Sequence, residues 1–228
     1  MKETLRLEAQ KLGILLSEEQ LSRFCAFGQA LIEKNQVMNL TAITEPSAVA
    51  KLHFADCLAL LNFTDFRGKS VIDVGCGAGF PGVPLKLGES SIRLTLLDSL
   101  QKRVLWLEET LNKLGVEAQC VAARAEEYGH REMFDIATSR AVARLNILAE
   151  LCLPFVKVGG CFLAMKGSAA QEELQEAERA ISLLGGKTEA LLPYQIDGVT
   201  RYALLIRKVK PTPSQYPRRY AKIKQQPL

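Results

Sequence analysis

The chain has 228 residues, 48% of them hydrophobic, and carries 29 Lys and Arg against 25 Asp and Glu, a net charge of +4. This length predicts one large domain with an extension rather than two full domains, and the apolar content suffices for a buried core. The longest apolar runs are far shorter than the roughly 20 residues of a membrane span, and the first residues lack the apolar block of a secretory signal. We therefore expect neither a membrane protein nor a secreted one.

Six cysteines and two histidines limit the redox and metal chemistry of the chain. No two cysteines form a Cys-x-x-Cys pair, which argues against a disulfide framework and against a zinc site. We predict no metal and a reducing, cytoplasmic environment. The positions of His53 and His130 indicate a helix residue and a loop residue rather than catalysts.

Charge is distributed unevenly along the chain. Residues 201–228 contain eight basic residues and no acidic one, which leaves 21 basic and 25 acidic residues in the first 200. The body therefore has a net charge of −4 and the end a net charge of +8. This asymmetry predicts that the carboxyl-terminal end meets a polyanion; the alternative is a solvated tail that only aids solubility.

The first 63 residues are predicted to be helical. Ser17 and Gln20 have the spacing of a capping box, and apolar residues follow at helical intervals. Turn residues then separate this part from the next. We predict a helical extension over residues 1–66, a main domain over 67–210 and an irregular, basic tail over 211–228.

From residue 70 onward, strand and helix patterns alternate. Ser99 can cap a helix that Gly115 ends. Alternation of this kind predicts an α/β fold, a mostly parallel sheet with helices on both faces. Only DGVT separates the last two strands, so these two must be antiparallel. The predicted strands are 70–74, 93–98, 116–122, 134–140, 159–167, 187–196 and 201–209.

The run VIDVGCGAGFPGVPLKL (71–87) joins a buried strand to a glycine-rich loop. The glycines at 77, 79 and 82 fit the dinucleotide pattern G-x-G-x-x-G. Asp73 followed by glycines at 75, 77 and 79 instead fits the D-x-G-x-G-x-G pattern of enzymes that hold S-adenosylmethionine. The glycines alone therefore support two ligands, which would bind beyond the carboxyl ends of the strands.

Two acidic residues bear on this choice. Asp98, at the end of the second strand, can accept hydrogen bonds from the ribose hydroxyls of either ligand. It therefore does not distinguish NAD from S-adenosylmethionine. Asp73 favours S-adenosylmethionine because a buried acid needs a polar partner. The ammonium and sulfonium groups of that cofactor would provide one, whereas the pyrophosphate of NAD would be repelled. We therefore predict Asp73 as a cofactor-binding residue.

The run DVGCGAGFPGVPLKL resembles the first motif of the bacterial 16S rRNA guanine-N7 methyltransferases, a family also called glucose-inhibited division protein B. The resemblance covers most of the chain and implies a class I, Rossmann-like S-adenosylmethionine-dependent methyltransferase. Its mostly parallel seven-stranded sheet would have an antiparallel final strand, and a helical extension would precede it. Further segments resemble the family in the same order: NLTAIT, HFADCL, LLDSLQKRVLWL, ARAEE, TSRAVA, MKG and YPRR.

The resemblance also implies roles for single residues in the cofactor site. Gly75, Gly77 and Phe80 would surround the methionine and sulfonium part of S-adenosylmethionine, and Asp98 would bind the ribose. The adenine would meet a backbone amide and a carboxylate just after the third strand, at Ala125 and Glu126.

The implied substrate is a guanosine in small-subunit ribosomal RNA, presented within the assembled subunit. Because guanine N7 carries no proton, no general base is needed, and no catalytic residue is predicted; proximity and orientation would provide the catalysis. Arg140 would contact both the cofactor and the guanosine. Tyr216 and Tyr220 would stack on unpaired bases or pack the tail onto the body. The implied RNA-binding residues are Arg140, Lys166, Arg218 and Arg219, with Lys222 and Lys224 as further candidates.

Three alternatives stay open on the sequence. The first is an NAD-dependent oxidoreductase, which would need a hydride-site acid or base that the sequence does not supply. The second is an RNA-binding or ribosome assembly factor without turnover, and the third is a methyltransferase of the same fold that acts on a protein or a small molecule.

Overall fold

A computed structural model of the chain describes residues 1–140 and 142–228; Ala141, within the TSRAVA motif, lies outside the described residues. The described residues form one seven-stranded sheet of β1 (Ser70–Val74), β2 (Arg93–Asp98), β3 (Gln119–Ala122), β4 (Phe134–Arg140), β5 (Val156–Lys166), β6 (Gly186–Ile196) and β7 (Val199–Lys208). The strand order is β3-β2-β1-β4-β5-β7-β6, with β1 to β5 parallel. The predicted α/β architecture is confirmed.

The last two strands are antiparallel, as predicted from the short segment between them. Only Asp197 and Gly198 separate β6 from β7, and both have positive φ angles, +50° and +76°. Two such residues make the type I′ turn whose twist matches that of the adjoining strands. Strand β7 then inserts between β6 and β5 and is antiparallel to both.

Helices cover both faces of the sheet. They are α1 (Lys2–Lys11), α2 (Glu18–Asn35), α3 (Pro46–Val49), α4 (Asp56–Leu58), α5 (Gly82–Gly88), α6 (Gln101–Lys113), α7 (Leu145–Cys152), α8 (Ala170–Leu183) and α9 (Tyr220–Gln225). A π-helical segment, Ala50–Ala55, joins α3 to α4. No helix in the described residues is both long and apolar enough to cross a membrane.

The amino-terminal helices share a core with one face of the sheet. The capping box of α2 is confirmed, since Ser17 Oγ accepts from Gln20 N at 3.1 Å and Gln20 Oε1 accepts from Ser17 N at 2.9 Å. The same Gln20 side chain donates to the carbonyls of Leu87 and Gly88, which attaches α2 to α5. The proposed division at residues 66 and 210 stays a prediction.

Two local predictions are wrong. Ser99 does not cap α6; Leu100 is the N-cap residue, and Asp98 Oδ1 accepts its N–H at 2.8 Å. The tail is not irregular throughout, because Tyr220–Gln225 form α9. Ile223 of this helix is fully buried in the core beneath α7, and burial of that side chain stabilises so short a helix where propensity alone would not.

Candidate functional site

The site lies where the carboxyl ends of β1, β2 and β4 meet. In the strand order, β1 lies between β2 and β4. The chain passes from β1 to β2 and β3 on one side, and then returns to β4 on the other side of β1. A crevice opens at such a point in an open α/β sheet. The glycine loop follows β1, Asp98 ends β2 and Arg140 ends β4, which brings these predicted residues to one place.

The glycine loop is held by backbone hydrogen bonds to the neighbouring strand. Gly75 N donates to Leu97 O at 2.8 Å, and Gly77 N donates to Asp98 Oδ2 at 2.9 Å. Gly75 and Gly77 have φ angles of +72° and +56°, a conformation that glycine adopts at little cost. A Cβ at Gly77 would point into open space, so the loop presents its backbone to the crevice.

Asp98 supports the loop with both carboxylate oxygens. One oxygen accepts from Gly77 N and the other from Leu100 N, and the side chain is 6% exposed. A carboxylate has about four acceptor positions, so each oxygen can accept a further hydrogen bond from a ligand. The same residue thus shapes the loop and borders the crevice.

Asp73 lies beneath the loop rather than in the crevice. Its Oδ2 accepts from Gly82 N at 2.8 Å, and its Oδ1 has no hydrogen-bond partner among the described residues. Burial raises the pKa of this carboxyl to about 7, although the Gly82 N–H opposes the shift. Asp73 therefore holds the start of α5, and its direct contact with a cofactor stays a prediction.

Three adjoining cavities make up the crevice. The loop cavity, of about 420 Å³, is lined by Gly75, Gly77, Phe80, Asp98 and Arg140 among others. The edge cavity, of about 190 Å³, is lined by Gly75, Asp98, Ala125, Glu126, Leu151 and Tyr220 among others. The outer cavity, of about 570 Å³, is lined by His53, Asp56, Arg140, Lys166, Tyr194 and Arg201 among others. Gly75 and Asp98 border the first two, and Arg140 borders the first and third.

Arg140 is fixed from three sides. Its Nη2 lies 3.1 Å from His53 Nδ1, its Nη1 lies 3.3 Å from Asp56 Oδ2, and its guanidinium lies 4.6 Å from the centre of the Phe80 ring. His53 stacks on the same ring at 4.6 Å. The arginine head group is therefore held in one orientation between the loop and outer cavities.

The protonation of His53 follows from these contacts. Arginine only donates, so Nδ1 carries the lone pair and Nε2 carries the proton, which it donates to Thr41 Oγ1 at 2.8 Å. Burial and the positive charge of Arg140 lower the pKa of His53 to about 3. The imidazole is thus neutral and acts as a hydrogen-bond acceptor for Arg140.

Asp56 continues the same network. Tyr194 from β6 donates its hydroxyl to Asp56 Oδ1 at 2.9 Å. Burial raises the pKa of Asp56, and the charge of Arg140 opposes that shift. Sequence reasoning missed His53, Asp56, Tyr194 and Arg201 as site residues. For the first two a signal existed, because both lie in the HFADCL segment that resembles the family.

The predicted RNA-binding residues differ in their surroundings. Lys166 lines the outer cavity, but it is 9% exposed and donates to Ala143 O and to Glu173 Oε2, each at 2.7 Å. Arg218 is bound to the fully buried Glu150, whereas Arg219 is exposed. Neither Arg218 nor Arg219 lines any of the three cavities in the described part of the chain.

The chain is similar to known proteins over most of its length. The model of a family described as rRNA small subunit methyltransferase G matches residues 20–196. A protein named ribosomal RNA small subunit methyltransferase G from Pelotomaculum thermopropionicum is 43% identical over 100% of this chain and 99% of its own length. One of the same name from Alkaliphilus oremlandii is 45% identical with the same coverage.

Solved structures share the fold at low identity. An S-adenosylmethionine-dependent methyltransferase from Aquifex aeolicus matches with a TM-score of 0.56 and 16% identity, over 77% of this chain and 97% of that one. The PH0226 protein from Pyrococcus horikoshii matches with a TM-score of 0.57 and 14% identity, over 77% of this chain and 98% of that one. The predicted fold class is confirmed.

Proposed function

The chain belongs to the rRNA small subunit methyltransferase G family, and we propose that it transfers the methyl group of S-adenosylmethionine to N7 of a guanosine in small-subunit ribosomal RNA. This membership does not favour the oxidoreductase or the non-catalytic alternative. The observation that carries the proposal is the position of Arg140, which borders both the loop cavity and the outer cavity. One fixed side chain thus lies between a space for the methyl donor and a larger space for the nucleotide.

The residues that line the loop and edge cavities provide groups that suit each part of S-adenosylmethionine. The backbone of Gly75 and Gly77, which lines the loop cavity, suits its methionine part, beside Phe80. Asp98 borders both cavities and has acceptor positions left for ribose hydroxyls. Ala125 and Glu126 border the edge cavity, where the adenine would lie. When bound, the cofactor supplies a methyl group on a positively charged sulfur.

The residues of the outer cavity would orient the guanosine. The Nη atoms of Arg140 make three hydrogen bonds, to Leu52 O, His53 Nδ1 and Asp56 Oδ2. Two of its five N–H groups are then left to donate to a ligand. Guanine O6, the acceptor beside N7, is the group that we assign to them. This bond fixes the base while the N7 lone pair stays free, so orientation provides most of the catalysis.

Charge in the outer cavity also suits the product. The guanine ring gains a positive charge when N7 is methylated, and nearby anionic groups favour that change. Asp56 and Glu173 both line the outer cavity and lie next to Arg140 and Lys166, respectively. The two carboxylates offset the cations that would otherwise repel the methylated base.

We further propose that exposed cations around the crevice bind the phosphates of the RNA. Arg219, Lys222 and Lys224 at the carboxyl-terminal end are exposed. Lys166 lines the outer cavity but is largely buried and paired with Glu173, so it is less available to a phosphate. Contacts of this kind make binding weaken as salt concentration rises. Arg218, with its buried partner, is better suited to hold the tail. The substrate would be the assembled small subunit in the cytoplasm.

The test uses labelled S-adenosylmethionine and small ribosomal subunits from cells that lack this gene. We expect methyl incorporation at one guanosine, located by chemical cleavage at N7-methylguanosine. Naked 16S rRNA assayed in parallel tests the need for the assembled particle, and subunits from cells that contain the gene are the control because their site is already methylated. Cofactor binding without incorporation into either substrate would contradict the proposed reaction.

A further inference from the structure

The basic carboxyl-terminal tail packs against the body of the protein through specific polar contacts. Arg131 donates to the carbonyls of Thr212, Pro213 and Tyr216. Thr212 is itself buried and donates its hydroxyl to Leu184 O at 2.7 Å. The first part of the tail is therefore attached to the loop before β4 and to the end of α8.

A buried ion pair attaches the next part of the tail. Arg218 donates through its backbone N and Nε to Glu150 Oε1, both at 2.8 Å, and through Nη2 to Oε2 at 2.6 Å. Glu150 is fully buried on α7, so the pairing satisfies a carboxylate that would otherwise be costly to bury. Removal of either partner would leave an unpaired buried charge or free the tail.

These attachments bring Tyr220 to the edge cavity. Leu151, the neighbour of Glu150, lines that cavity, and so does Tyr220. The backbone N of Tyr220 donates to Glu126 Oε1 at 3.2 Å. One turn further along α9, the fully buried Ile223 fixes the helix against the core. Through Tyr220, the tail thus borders the same cavity as Asp98, Ala125 and Glu126.

We propose that Tyr220 is a cofactor-binding residue, and that the tail completes the adenosine end of the S-adenosylmethionine site. This inference rests on the proposed function of the edge cavity. The tyrosine ring covers the purine, and the Tyr220 N–H orients the Glu126 carboxylate toward the crevice. The Arg218–Glu150 pair is a positioning element that holds the tail in this place. The outward cations of the tail, Arg219 and Lys222, remain available for RNA.

The experiment measures the Kd of S-adenosylmethionine for the full-length chain by calorimetry. The substitution Tyr220→Ala removes the ring that would cover one face of the purine. We therefore expect the Kd of S-adenosylmethionine to rise about tenfold. Tyr220→Phe keeps the ring and should stay within about twofold of the unchanged protein, since the hydroxyl has no role here. The same ratios are expected for S-adenosylhomocysteine, because the missing methyl lies at the other end of the ligand.

Tyr216→Ala is the matched control. Tyr216 is a tyrosine of the same tail and packs against the same core, but it does not line the edge cavity among the described residues. We expect its Kd within about twofold of the unchanged protein. Equal losses in the two alanine variants would overturn the inference, and so would an unaltered Kd in Tyr220→Ala.

Hydrogen exchange of the unchanged protein provides a second readout that needs no variant. Saturating S-adenosylmethionine should slow the amide exchange of residues 219–225, and unaltered exchange there would overturn the inference. The two failures are distinguishable: if the unchanged protein does not bind S-adenosylmethionine, the proposed function fails. If it binds but the tail does not respond, only the role of Tyr220 fails.

Discussion

The loop cavity and the outer cavity share Arg140 but are built in different ways. In the loop cavity, backbone N–H groups meet a carboxylate 21 positions along the chain, as Gly77 meets Asp98. In the outer cavity, side chains from distant segments meet one another: His53 and Arg140 are 87 positions apart, and Asp56 and Tyr194 are 138 apart. The loop depends on backbone conformation, whereas the outer cavity depends on side-chain contacts between distant segments of the chain.

The largest expected effect comes from Arg140, where the two regions meet. Arg140→Met should lower methyl transfer to small subunits on the order of 100-fold or more, because the fixed donor that orients the guanine is lost. The Kd of S-adenosylmethionine should rise much less, by about tenfold at most, because Arg140 also lines the loop cavity but the glycine loop and Asp98 keep their contacts. Single-turnover methylation and calorimetry measure the two quantities.

Arg144→Met is the control for that variant. Arg144 also lines the outer cavity, but it is half exposed and paired with Glu172 and Glu176. Its loss should change methyl transfer by less than about threefold. An equal loss in both variants would mean that net positive charge, not the fixed orientation of Arg140, is what matters.

Asp98→Asn should raise the Kd of S-adenosylmethionine about 30-fold, because an amide cannot accept from both Gly77 and Leu100 while it also binds a ribose. Asp135→Asn is the matched control. Asp135 likewise accepts a backbone N–H, from Ser70 at 2.8 Å, but at the opposite end of β1 and β4. That variant should lose stability in denaturant melts and keep its cofactor affinity.

Gly77→Ala should raise the Kd of S-adenosylmethionine about tenfold, since the added methyl group strains the loop and occupies the face presented to the cofactor. Gly115→Ala is the control, because it introduces a similar backbone strain away from the crevice. Gly115 has a similar φ of +63°, and a Cβ there also meets nothing within 4 Å, but it lies at the end of α6. Should both variants weaken binding equally, the loop acts through stability alone.

The smallest expected effect is a pH dependence that belongs to the outer cavity. Because the folded-state pKa of His53 is lowered to about 3, folding favours the neutral imidazole. Its contribution to stability is complete above the unfolded pKa of about 6.5 and is lost as the pH falls below it. From pH 7 to pH 5.5 the free energy of unfolding should drop about 1 kcal/mol further than in His53→Asn.

Denaturant melts of both proteins at the two pH values measure that difference. Asp73 titrates in the opposite sense, because its raised pKa of about 7 adds stability as the pH falls. It is present in both proteins, so its effect cancels in the comparison. Equal pH dependence in the two proteins would mean that His53 accepts a proton in the folded state.

Much of the lining of the loop and edge cavities could be predicted from sequence. The glycine loop, the strand that precedes it and Asp98 lie within 30 residues, and the α/β alternation determines that their ends meet. Ala125 and Glu126 follow the neighbouring strand and reach the same edge by the same rule. For Asp73, the position in the motif does not reveal that the carboxylate is fully buried and accepts from Gly82 N.

A count of basic residues does not show which of them are free to bind RNA. Arg218 and Arg219 are adjacent and were predicted alike, but the first is bound to a buried glutamate and the second is exposed. Lys166 also has a carboxylate partner, Glu173. Composition counts these residues as equal cations, whereas their availability to RNA depends on which acidic side chain the fold places beside each of them.

The sequence by itself determined the fold class, the family and the loop that borders the crevice, because each is encoded in contiguous residues whose spacing limits the backbone. Only the tertiary structure decided the partners of Arg140, the anchoring of the tail by Glu150 and the place of Tyr220 in the edge cavity. Those contacts join segments from 68 to 94 positions apart. No local pattern specifies them, since they depend on how helices pack across the two faces of the sheet.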